Sequence, residues 1–130
     1  MAEISNYLEQ ALINGTIRGT TYTAPSTVYV ALYTTDPTDA DTGTEVSGGS
    51  YARTAVTFAT ASGTSGSVAS NADVTFPQAT ANWGTVAYIG LRDASTGGNL
   101  LYHTPLDASK TIETGDIFKI ASGNLTVTLS

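Results

Sequence analysis

Cysteine is absent from the 130 residues. Disulfides and thiolate-ligated metal sites are therefore excluded, and sulfur chemistry says nothing about the redox compartment. Histidine occurs once, at His103. One imidazole does not make a typical zinc site without cysteine or further histidines. Nor does it make a catalytic base without a reacting group and an orienting partner. Charge is scarce as well: ionisable residues make up 12% of the chain, about half the usual share. The five cations, Arg18, Arg53, Arg92, Lys110 and Lys119, are scattered. Neutralising a phosphate backbone takes clustered cations, so nucleic acid is excluded as a partner. No run approaches the roughly 20 apolar residues of a membrane span. The opening MAEISNYLEQ carries neither a basic stretch nor an apolar stretch of the kind found in signal peptides. A soluble chain made in a cytoplasm, with no membrane partner, is the expectation.

Hydroxyls take the place of ions. There are 23 threonines, 12 serines and 13 glycines against a net charge of −6. Threonine is β-branched and suits a pleated, half-exposed surface, while glycine and serine supply turns. A chain of this length holds a core of its own, and one domain over residues 1–130 is expected. Residues 1–20 would form a helix and linker, and 21–130 a β-sandwich.

Near the start, Ile4, Tyr7, Leu8, Ala11 and Leu12 fall on one helical stripe, with Asn14-Gly15 as the expected stop signal. Ile4, Tyr7, Leu8 and Leu12 are the candidate interaction residues, on a helix that lids the sheet or docks on a partner. After Pro25 the period changes to two. Val28, Val30 and Leu32 alternate with Tyr29, Ala31 and Tyr33. Further strands are expected over 52–59, 74–76, 85–92, 100–104, 118–120 and 125–129. The 93–99 stretch, Asp-Ala-Ser-Thr-Gly-Gly-Asn, is dense in turn formers and should close a hairpin. The Gly/Ser-rich stretch 61–70 reads as a mobile loop. About seven or eight short strands separated by turns indicate a mainly β fold, an antiparallel sandwich or jelly roll with one N-terminal helix.

Few residues offer chemistry. Asp36, Asp39, Asp41 and Glu45 lie in one loop and are the candidates for a hard cation such as Ca²⁺. Their spacing does not match an EF-hand, and a solvated turn with Asx hydrogen bonds is the simpler expectation. No metal or cofactor is expected otherwise. His103 reads as a structural residue with one backbone hydrogen bond, and Arg92-Asp93 as a local ion pair. Gly97-Gly98 lacks the lysine and following helix of a phosphate loop. No carboxylate pair is placed for glycoside hydrolysis. Trp83 either caps one end of the core with its N–H on a backbone carbonyl or, with the seven tyrosines, offers a platform for sugars. An enzyme is not expected.

Two runs are distinctive: Glu45-Val46-Ser47-Gly48-Gly49-Ser50-Tyr51-Ala52-Arg53, and Arg92-Asp93-Ala94-Ser95-Thr96-Gly97-Gly98-Asn99-Leu100-Leu101. With Ala81-Asn82-Trp83-Gly84-Thr85-Val86 and Ile112-Glu113-Thr114-Gly115-Asp116, they make the chain resemble a family of small virion proteins of tailed phages and prophages. Its members are loosely labelled tail fibre or minor tail proteins. The resemblance implies a non-enzymatic virion structural component. It also implies other virion proteins as partners, the major capsid protein or tail proteins, together with self-association, for example as a trimer. Fibres are long and read as shafts or repeats, whereas this chain reads as short and globular. Capsid decoration, a cement protein on the head surface, is therefore the favoured location. A tail, baseplate or tail-fibre accessory protein and a carbohydrate-binding receptor module are the alternatives.

Overall fold

A stripe of apolar residues does not by itself place a helix start; a capping side chain does. The structure, a computed structural model, describes residues 2–63 and 66–129. In it helix α1 spans Asn6–Ile17 and Ser5 is its N-cap, its hydroxyl accepting from the Leu8 N–H at 3.2 Å. The same buried hydroxyl donates to the Leu100 carbonyl. Ile4 therefore lies outside the helix. It belongs with Glu3 to a two-residue strand, β1 (Glu3–Ile4), antiparallel to a long strand, β7 (Leu100–Ile112). Asn14-Gly15 does not stop the helix either. The turn runs on to Ile17, and Gly19 at φ +73° takes the left-handed position while Thr20 N–H returns to the Asn14 carbonyl.

The main sheet has five strands in the order β1-β7-β6-β2-β3, all antiparallel. Its remaining members are β2 (Val28–Tyr33), β3 (Thr54–Val56) and β6 (Gly84–Arg92). Four shorter strands form two ladders: β4 (Ser67–Ala69) with β9 (Thr126–Thr128), and β5 (Val74–Thr75) with β8 (Lys119–Ile120). Val30, Leu32, Ile89 and Leu91 of the sheet share one core with Val74, Phe76, Phe118, Leu125 and Val127 of the ladders and their flanks. This is a β-sandwich with an N-terminal helix, as composition and periodicity predict. Hairpin β6–β7 forms where the 93–99 turn places it, with Leu91 opposite Tyr102. Two sequence readings change. Residues 67–69 of the supposed loop are a paired strand; Thr64 and Ser65 of that stretch lie outside the described residues. And β7 does not end before Pro105, which pairs with Tyr88. β1 covers only Tyr102 and His103, so proline, which has no N–H, sits where β7 has no β1 partner.

β2 is buried on both faces, which its alternation does not reveal. Val30 and Leu32 enter the core, while Ala31 and Tyr33, on the opposite face, are equally buried. Register explains what lies on that second face. Glu3 is opposite His103, His103 opposite Gly90, and Gly90 opposite Ala31, so these four form one row across the sheet. Gly90 is small because a Cβ there would meet Leu100 and Tyr33 at 2.7 and 2.8 Å. The 36–45 loop reaches this face through Asp41 on Arg92 and Asp39 on His103, and α1 packs against β7. Elsewhere hydroxyl pairs tie neighbouring segments: Thr85 with Thr111, Ser67 with Thr128, Ser50 with Thr80, and Thr38 with Thr42, at 2.8–3.0 Å.

Candidate functional site

The loops at the β6–β7 turn are held by two arginines. Arg53, its side chain almost wholly buried, makes a two-pronged pair with Glu45, from Nε to Oε2 and from Nη2 to Oε1, both at 2.8 Å. Its Nη1 donates to the carbonyls of Ala94 and Gly97 at 2.9 and 2.8 Å. Tyr51 donates to the same carboxylate at 2.6 Å and accepts from the Leu32 N–H. Burial pushes the Tyr51 phenol up, and the Glu45 carboxylate adds to the shift. Between these loops lies a cleft of about 420 Å³, floored by Tyr51 and Arg53 and rimmed by Ser47, Ser95 and Thr96.

Arg92 repeats the device on the helix side. It grips Asp41 with Nη1 and Nη2 at 2.8 and 2.9 Å, and the Tyr33 hydroxyl at 2.9 Å. It also reaches the carbonyls of Gly98 and Gly97 at 3.1 and 3.4 Å. Arg92 does not pair with its neighbour Asp93. Asp93 instead accepts from the Asn99 backbone and side chain, closing the turn on itself. Gly98, at φ +70°, could not carry a Cβ without meeting Asp93 Oδ1.

The four carboxylates of the acidic loop do not converge. Asp41 and Glu45 each belong to an arginine, and Asp36 accepts from the Thr38 N–H as an Asx turn. Asp39 reaches His103, Oδ1 to Nε2 at 2.7 Å. His103 is thus buried, and this partner is a carboxylate where a backbone hydrogen bond is expected from the sequence. Trp83 is buried in the core, its N–H on the Gly49 carbonyl at 2.9 Å and its ring edge-on to Tyr51. It offers no face on which a sugar could stack. Of the helix residues, Leu8 is buried against the sheet, Ile4 belongs to β1, Leu12 is half-buried and Tyr7 is exposed. The exposed apolar pair on α1 is Ile13 and Ile17, 53% and 78% exposed. Neither falls on the stripe through Leu8.

The family model described as podophage GP4 fiber I protein gp80 matches residues 3–128. The chain belongs to that family. No curated protein matches it. Membership makes the chain a phage virion structural protein. It also gives the two distinctive runs a physical meaning in this family member. Residues 45–53 and 92–101 are the two halves of the arginine-held loop cluster, joined by Arg53 on Ala94 and Gly97. The sequence signal for the cluster was present in those runs, whereas the pairing of Arg92 with Asp41 across 51 positions had none.

A pH prediction follows from Glu45. Burial alone would raise its pKa, but the hydrogen bonds from Arg53 and Tyr51 outweigh it and hold the carboxyl below its usual range. A folded pKa below the unfolded one gives stability that is full above the unfolded value, about 4.3. That stability is lost as pH falls through the folded value. Glu45→Gln should therefore be less stable than the parent by about 2 kcal/mol at pH 7, with the difference closing at an acid pH where Glu45 is protonated in the folded state. Urea unfolding at both pH values checks this; equal stabilities at pH 7 would show that the pair contributes nothing.

Proposed function

We propose that the chain is a non-enzymatic building block of the fibre apparatus, fastened to a neighbouring virion protein through the exposed end of α1. The observation that carries this is the pair Ile13 and Ile17. They lie side by side at i and i+4, exposed, on a helix that Ser5 and Leu8 anchor to the sheet. The family's own description, a fiber protein, supports the setting. Four N–H groups around Arg53 and Arg92 are fixed on turn carbonyls 94, 97 and 98. That makes a rigid scaffold rather than a reacting centre.

Capsid decoration is the second reading. It draws on the sandwich itself, which shows no shaft-like repeat among the described residues. The two readings differ in copy number. A fibre component is present in tens of copies or fewer, and a decoration protein in the number of the capsid subunits it covers. Quantitative gels of purified particles with antibody labelling separate them.

Docking is tested by point substitution, because the first residues are built into the sheet. Ile13→Asp with Ile17→Asp should reduce incorporation into particles at least tenfold. Stability should change by less than about 1 kcal/mol, as expected of exposed positions. Full incorporation of the double variant would rule out this end of the helix as the contact.

A further inference from the structure

We propose that Glu3, Asp39 and His103 bind one divalent transition-metal cation of the Zn²⁺ class. Each comes from a different element: β1, the loop after β2, and β7. Their donor atoms all lie within 4.8 Å of one another. His103 Nε2 stands 2.7 Å from Asp39 Oδ1 and 3.7 Å from Glu3 Oε2. Ligands about 2.0–2.1 Å from a tetrahedral zinc are about 3.3 Å apart, a value between those two separations. The two histidine–carboxylate separations must change by about 0.4–0.6 Å, and the two carboxylates, which lie within 4.8 Å of each other, are exposed and free to adjust.

Three further features fit a cation. The imidazole is 4% exposed, so the nitrogen donor is fixed and dry, while both carboxylates face solvent. The opposite ring nitrogen looks toward Asp36 Oδ1 at 3.9 Å, the side on which a metal-bound histidine commonly has an orienting carboxylate. The carboxylates border a cleft of about 410 Å³, into which Glu9 also faces, leaving room for water as a further ligand. Charge argues the same way. Three carboxylates stand within 4 Å of the one imidazole, a concentration of negative charge that favours a cation. Glu3 and His103 are cross-strand partners, so the sheet register itself presents two of the three ligands. One nitrogen with two oxygens favours zinc-class cations over Ca²⁺, which wants six or more oxygens.

The test uses the full chain without an affinity tag, stripped with chelator and titrated calorimetrically with ZnCl₂. One equivalent should bind, and the melting temperature should rise by roughly 8 °C at a hundredfold excess over Kd. Millimolar CaCl₂ should leave the melt unchanged. Glu3→Gln and Asp39→Asn should each weaken zinc at least tenfold. For the exposed Glu3, the metal-free melt should stay within about 2 °C of the parent. No saturable binding, undiminished binding in both variants, or an equal response to Ca²⁺ would overturn the assignment.

Discussion

Arg92→Ala should remove about 2–3 kcal/mol of stability, the loss expected when a buried polar group, here the Tyr33 hydroxyl, is left without its partner. That is a large part of the 5–15 kcal/mol typical of a native protein. The side chain satisfies Asp41 twice, the Tyr33 hydroxyl, and the carbonyls of Gly97 and Gly98. Asp41 is partly exposed and can recover water; the Tyr33 ring is fully buried and its hydroxyl cannot. Lysine keeps the charge but not the planar fork, so Arg92→Lys should fall between the two. Equilibrium urea unfolding measures the difference. Limited proteolysis adds a local reading, because the 36–45 loop and the 93–99 turn should be cut earlier in the alanine variant. A loss below about 1 kcal/mol would mean that the network is replaceable by solvent.

Trp83→Ala should cost about 3–5 kcal/mol, as large-to-small substitutions of aromatic core residues do. The indole stands edge-on to Tyr51 with centroids 5.4 Å apart, and its N–H is the partner of the Gly49 carbonyl. Gly49, at φ +59°, would bring a Cβ to 2.9 Å from the indole nitrogen, so loop and ring are fitted to one another. The loss should therefore spread to the 46–53 loop, seen as faster amide exchange there. Trp83→Phe should recover much of the packing but leave the Gly49 carbonyl without its donor. If Trp83→Ala melts like the parent, the ring does not anchor this end of the core.

Much of the fold is legible because local chemistry and periodicity agree. The β2 alternation, the dense turn at 93–99 and the closing Leu125–Leu129 alternation each point to an element that is present. Residues go astray where an apolar pattern serves two purposes. Ile4 lies on the helical stripe yet pairs as a strand residue, and Ser5, a good N-cap by chemistry, marks the true boundary. That Ala31 and Tyr33 are buried as well could not be read from the alternation, which counts side chains and not the loop that reaches this face. The site is less legible. Asp41 with Arg92, and Asp39 with His103, are separated by 51 and 64 positions, so their meeting depends on sheet order and register. Glu45 with Arg53, eight apart inside one distinctive run, lay close enough to invite pairing.

The paired hydroxyls have a consequence beyond holding segments together. Links such as Thr85 to Thr111 and Ser67 to Thr128 carry no net charge and no group that titrates in ordinary conditions. Exposed ion pairs weaken as dissolved ions accumulate, because the distance over which charges feel one another shrinks to about 3 Å at 1 M. Neutral bonds have nothing to screen. Moved from fresh water to brine, the chain would keep these neutral links unchanged, while an exposed ion pair such as Lys119 with Asp73 would weaken.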